Sequence, residues 1–229
     1  MPTTRLIPNV ERRLSAWISV QDRLREQPPR PARPTLTITR QFGCEGFPLA
    51  ERLKETLDAR TGNTWTIFDK ALIEQVSRET RLSEQLFANL GDESRVLDAL
   101  ASTIPGWRTH AERYELLARH ILRIARDGNA IIVGRGASVL TQTLPNCYHF
   151  RLEAPLEHRV ASIEQRLALD HATADALVRE HQRHRERFLE EMLHSKIADS
   201  RYYHAVYDTS RSPIERVAAS IVALLPFLG

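Results

Sequence analysis

A chain of 229 residues suits one α/β domain with additions better than two independent domains, and a 42% hydrophobic fraction is ample for its core. Two cysteines, Cys44 and Cys147, exclude a disulfide framework and fit a reducing, cytoplasmic setting. No apolar run approaches the roughly 20 residues a membrane-spanning helix needs. The net charge of +3 and pI near 9.1 are mildly basic; the charge is carried by 29 arginines against three lysines, Lys54, Lys70 and Lys196.

In chain order, Val10–Glu26 has helical periodicity, with Leu14, Trp17, Ile18, Val20 and Leu24 apolar and a charged opposite face. The proline-rich stretch Pro28–Pro34 is a stiff linker. Residues 1–34 therefore form a helical extension that could pack on its own domain, on a second copy in a homodimer, or on something negatively charged. Thr35–Phe42 reads as a buried strand, Gly43–Gly46 as a tight turn, and a helix follows to about Ala59 with Pro48 in its first turn. Trp65–Asp69 is a second strand, followed by helices over Lys70–Thr80 and Ser83–Leu100. A long helix runs from about Thr109 to Arg126. Ala130–Val133 is a strongly buried strand ending at Gly134-Arg135-Gly136, and a short helix lies near Ser138–Thr143. Cys147–Leu152 is a fourth strand, and Pro155–Leu167 and Ala174–Leu193 are helices. Tyr203–Tyr207 is a fifth strand, and Pro213–Leu228 closes the chain. Strands alternating with helices predict a parallel sheet of about five strands covered on both faces, a three-layer α/β sandwich. Thr35–Phe42 and Ala130–Val133 are expected inside it. Ligands of such sheets bind at the carboxyl ends of strands. Those ends carry Gly43, Asp69, Gly134, Arg135, Asp208 and Thr209.

Strand, glycine turn and helix N-terminus are the parts of an anion-binding loop, because backbone N–H groups and the helix dipole converge on one point. The loop would span Phe42, Gly43, Cys44, Glu45, Gly46 and Phe47. Against the pattern G-x-x-x-x-G-K-[ST], Arg40 and Glu45 stand in the glycine slots. The lysine slot falls on Gly46. One register along it falls on Phe47, with the hydroxyl slot on Pro48. The architecture is kept and the usual chemistry is altered. Glu45 adds a negative charge that repels phosphate unless it turns outward or is paired.

Four segments resemble the cytidylate kinase-like family. Ile38-Thr39-Arg40-Gln41-Phe42-Gly43-Cys44-Glu45-Gly46 is similar to its Ser-Arg-Glu-Phe-Gly-Ser-Gly-Gly, and Phe68-Asp69-Lys70-Ala71-Leu72-Ile73 to its Tyr-Asp-Lys-Glu-Leu-Ile. Ile131–Ala137 is similar to Val-Ile-Val-Gly-Arg-Cys-Ala, and Tyr203–Ser210 to Tyr-Asp-Leu-Val-Ile-Asn-Thr-Ser. The resemblance covers roughly Thr35 to Leu228. It implies a P-loop NTPase-like domain over 35–229 with a helical lid, and phosphate transfer from ATP, with Mg²⁺, to CMP or a similar acceptor. Arg40 could replace the lost lysine. Asp69, Gly134 and Arg135 would take the acceptor nucleotide, and Asp208 and Thr209 would lie beside a base. Arg179, Arg183 and Arg187, spaced i, i+4, i+8, would face the transferring phosphate from the lid, with His184 and Arg185 beside them. Arg183 and Arg187 are the lid residues assigned to catalysis.

Each residue has a plainer reading: an ion pair for Arg40, a helix cap for Asp69, a solvated helix face for the lid arginines, and a small buried residue for Cys44. His181 and His184 are three apart with no third ligand in view, so no metal site is assigned. Two further functions compete with a kinase. One is a catalytically silent descendant that binds a nucleotide or a partner protein as sensor or scaffold. The other, nucleic-acid binding through the N-terminal helix, is weakened by the acidic residues interleaved there.

Overall fold

Leu36 and Ile38 face one side of β1 (Thr35–Arg40) and Thr35, Thr37 and Thr39 the other, as the two-residue period of a strand requires. All five are buried. A buried hydroxyl without a partner is costly, and each threonine has one. Thr35 Oγ1 donates to Ala125 O at 2.9 Å, Thr37 Oγ1 lies 2.9 Å from His149 Nδ1, and Thr39 Oγ1 lies 3.0 Å from Ser138 Oγ. A strand half threonine can thus hold the middle of a sheet.

The computed structural model of the protein describes residues 33–73 and 110–228. The expected helices over Val10–Glu26 and Ser83–Leu100, and the linker, lie outside these residues; of the helix expected from Lys70 only residues 70–73 are described. The five strands are β1, β2 (Thr66–Phe68), β3 (Ala130–Val133), β4 (Cys147–Glu153) and β5 (Ala205–Asp208). They form one sheet in the order β2-β3-β1-β4-β5, every pairing parallel. β1 is central and β3 interior, as their burial predicts.

Helices α1 (Gly46–Thr61) and α6 (Ile214–Ala223) cover one face, where Leu49, Leu53, Leu57, Val217 and Ile221 pack with Leu36, Ile38 and Phe150. Helices α2 (His110–Asp127) and α3 (Ala137–Leu140) cover the other, where Leu117, Ile121 and Ile124 pack with Phe68 and Ile132. Between β4 and β5 the chain makes a hairpin of α4 (Leu156–Leu167) and α5 (His171–Leu193), joined by a third apolar cluster of Val160, Ile163, Ala174 and Val178. Asp170 caps α5 by accepting from Thr173 N.

His149 gives this core a pH dependence. Its ring is buried, and burial, then the neighbouring His204, push its pKa down to about 4. The unfolded ring takes a proton near pH 6.5 and the folded ring does not. The stability that depends on the neutral ring is complete above that pH and is lost as pH falls toward 4, by about 1.4 kcal/mol per pH unit for one such group. Urea denaturation of wild type and His149→Asn at pH 7 and pH 5 checks this. The variant is expected to lose less stability between the two pH values.

Candidate phosphate-binding site

The carboxyl ends of β1, β2 and β3 bring Arg40, Asp69 and the Gly134-Arg135-Gly136 corner together. Asp69 is buried and its Oδ1 accepts from Leu72 N at 2.9 Å, so it does cap the helix that begins at residue 70. Lys70 beside it is exposed. The corner is unusual in its backbone: Gly134, Arg135 and Gly136 have φ of 84°, 58° and 71°. Three successive left-handed residues, one of them an arginine, store strain of a kind that concentrates at ligand sites. Tyr114 Oη donates to Arg135 O at 3.1 Å, and the Arg135 guanidinium lies 5.4 Å from the Phe188 ring centre on α5.

Arg40 does not extend from the end of β1 into solvent. A Cβ added to Gly46, the first residue of α1, would lie 3.1 Å from Arg40 Cγ and Cδ, and one added to Gly134 would collide with Arg40 Nη1. The side chain thus runs across the N-terminus of α1 and sets its guanidinium on Gly134. Desolvation, then Arg185 and Arg135, push its pKa down to about 9, with Asp69 acting in the opposite direction. It remains charged at neutral pH. Arg185 is likewise lowered to about 10, first by desolvation; Arg135 also lowers it. Arg40 thus lies within the electrostatic reach of Arg185 and Arg135, with Asp69 as a counter-charge acting on it.

The α4–α5 hairpin closes directly on the turn. Phe42 packs into the cluster between the two helices, stacks on His181 with ring centres 4.6 Å apart, and carries the Arg185 guanidinium 4.9 Å above its ring. Gln182 Oε1 accepts from Phe42 N at 2.9 Å, and Arg185 Nη1 donates to Arg40 O at 3.4 Å. From α4, Arg159 Nη1 donates to Phe42 O at 3.3 Å, and its backbone presses on Gly43. Arg183 and Arg187, expected at the site, are exposed. At 100° per residue each sits about 200° around α5 from Arg185. Arg179 is exposed and pairs with Asp175. The inward residues are Gln182 and Arg185, which interrupt the buried stripe of Ala174, Val178 and Leu189. Two polar residues inside an apolar stripe are the sequence signal for them.

The loop uses several of its own donors. Cys44 N donates to Gln41 O and Gly46 N to Cys44 O, so with Phe42 N three of its N–H groups are engaged. No side chain caps the N-terminus of α1. The Cys44 thiol is buried and pushed up, chiefly by that burial, so it is no reactive thiolate. On the far side of the turn a cleft of about 390 Å³ is lined by Gly43, Glu45, Ser162, Gln165, Thr209 and Ile214, among others. Glu45 turns toward this cleft. Ser162 Oγ is buried there without a hydrogen-bond partner among the described residues. Thr209 hydrogen-bonds through its N–H to Glu153 O. Asp208 Oδ1 accepts from Ser210 N and Oγ, closing the turn into α6.

Among the described residues no group of three or more His, Cys, Asp or Glu could hold a metal ion, and the loop hydroxyl that orients magnesium is missing. The described residues thus offer no cluster for a protein-held magnesium. A nucleotide's own phosphates and waters supply most ligands of the ion it carries.

A parallel five-stranded sheet with a glycine turn feeding a helix at its central strand defines a P-loop-type α/β domain. The sequence profile of the cytidylate kinase-like family matches residues 35–211, and the chain belongs to that family. No curated protein matches the chain. Among solved structures, an uncharacterized protein from Eubacterium ventriosum ATCC 27560 is similar at 18% identity and a TM-score of 0.67, over 83% of this chain and 97% of that one, and shares the fold. A shikimate kinase from Bacteroides thetaiotaomicron is matched at 10% identity and a TM-score of 0.47, over 83% and 97% of the two chains. A gluconokinase from Sinorhizobium meliloti 1021 is matched at 11% and 0.42, over 85% and 92%. No helix among the described residues is long and apolar enough to cross a membrane.

Proposed function

We propose that this protein binds a nucleotide by its phosphates at the Gly43 turn and transfers a phosphoryl group from ATP to CMP or a similar monophosphate, slowly, in the cytoplasm. The observation that carries this is the path of Arg40, which crosses the uncapped N-terminus of α1 and rests on Gly134 next to Arg135, with its carbonyl held by Arg185. Phosphoryl transfer is mostly positioning and charge neutralisation, and three guanidiniums supply charge. Arg135 would hold the acceptor phosphate, with Asp69 near it. The cleft beside Glu45, Ser162 and Thr209 would receive the donor's base. A second reading, a nucleotide-binding protein without turnover, is favoured by the three loop N–H groups already engaged.

A thermal-shift panel of ATP, CMP, dCMP, UMP and AMP, each with and without Mg²⁺, tests the binding claim, because any ligand of the folded state raises its apparent stability. Stabilisation by at least one nucleotide is expected, and none at millimolar concentration would contradict the proposal. Arg135→Ala is expected to weaken monophosphate binding by about 1.5–3 kcal/mol, one charge-assisted contact, and ATP binding by less. Equal losses in calorimetry would remove Arg135 from the acceptor side.

A further inference from the structure

We propose that Arg40 occupies the space and the role of the P-loop lysine, its side chain running over Gly46 and resting on Gly134. The proposal rests on the phosphate-binding reading of the same site.

A P-loop lysine leaves the chain at the start of the helix and turns back over the loop. Here the helix starts with Gly46, and the side chain lying over it belongs to Arg40, six residues earlier at the end of β1. Its Cγ and Cδ lie 3.1 Å from where a Cβ at 46 would stand, tighter than an ordinary contact, and its guanidinium ends on Gly134 beside Arg135. The cation therefore comes from the strand side of the loop to the same face of α1. Arg40 also has its carbonyl held by Arg185 at 3.4 Å, which fixes the base of the side chain. A lysine at 46 would therefore press on Arg40 and oblige its side chain to shift. The absent lysine and the arginine in the first glycine slot are then one exchange, not two losses.

This makes an unusual demand. Restoring the lysine alone should harm the site, and restoring it together with a glycine at 40 should repair it. Wild type, Arg40→Ala, Gly46→Lys and the double variant Arg40→Gly/Gly46→Lys are titrated with inorganic tripolyphosphate and with ATP by calorimetry, and each is melted without ligand. Arg40→Ala is expected to lose affinity about 10- to 100-fold, the scale of one charge-assisted contact. Gly46→Lys should bind more weakly and melt lower than wild type, and the double variant should regain most of both. If Gly46→Lys does not fold alone, recovery of folding in the double variant supports the exchange, and failure of both overturns it. Binding by Arg40→Ala within about twofold of wild type would overturn it while leaving the phosphate-binding reading intact. So would tighter binding by Gly46→Lys, or additive melting shifts, since residues that share no space behave additively. If wild type binds neither probe, both this assignment and the functional reading fall.

Discussion

Phosphotransfer from ATP to CMP, dCMP, UMP or AMP is expected to run about 10²–10³-fold below the 1–100 s⁻¹ usual for kinases. Arg40 returns a charge to the loop, but nothing returns the hydroxyl: its slot falls on Phe47 or, one register along, on Pro48, which also lacks an N–H. The N–H groups of Phe42, Cys44 and Gly46 are spent on Gln182, Gln41 and Cys44. A phosphoryl group in flight would meet fewer preorganised donors, and loss of one such donor costs about that much in rate. A coupled assay with Mg²⁺ reads this directly. Turnover within the usual kinase range would show that the arginine cluster alone is sufficient and that the engaged N–H groups are released when substrate binds.

Gly43→Ala is expected to destabilise the fold by about 2–4 kcal/mol, combining a left-handed backbone with steric overlap. Gly43 has φ of 96°, and an added Cβ would lie 2.6 Å from Arg159 Cβ, 2.7 Å from its carbonyl oxygen and 2.9 Å from its Cα. Two of these atoms are backbone of α4, so relief requires the hairpin to lift from the turn. The same contact ties the loop to the hairpin, with Phe42 packed, partly buried, between the helices. Urea denaturation checks the value. A change below about 1 kcal/mol would mean that α4 yields easily and that the hairpin is not locked on the loop.

The layout of this fold was legible because its signals are local. Ala130–Val133 is uninterrupted apolar sequence and Thr35–Arg40 ends in a glycine turn, and both lie inside the sheet as expected. Strand ends were less so: Phe42 reads as the end of β1, yet the strand stops at Arg40, because Phe42 leaves the sheet to pack between α4 and α5. The fifth strand begins at Ala205, later than Tyr203, because Tyr203 turns back to donate from its hydroxyl to Ile197 O.

The site was legible in part. Arg40, Asp69, Gly134 and Arg135 sit at neighbouring strand ends, so a parallel sheet brings them together without further information. The α5 residues depend on which face of the helix is buried. A regular i, i+4, i+8 row of arginines drew attention to Arg183 and Arg187, but such a row is also how an exposed face looks. The buried face is the one holding Val178 and Leu189, and it carries Gln182 and Arg185. That Arg40 lies over Gly46 and Gly134 depends on a side-chain path that no spacing encodes.

The most direct test of a phosphate site at this arginine cluster is a crystal structure of the wild-type protein soaked with ATP and CMP. The account predicts phosphoryl density beside the Arg40 guanidinium, within hydrogen-bonding reach of Arg135 or Arg185, with the base of one nucleotide in the cleft lined by Ser162 and Thr209. Density for the nucleotide elsewhere on the protein, with the space between the three guanidiniums empty at saturating ligand, would contradict it.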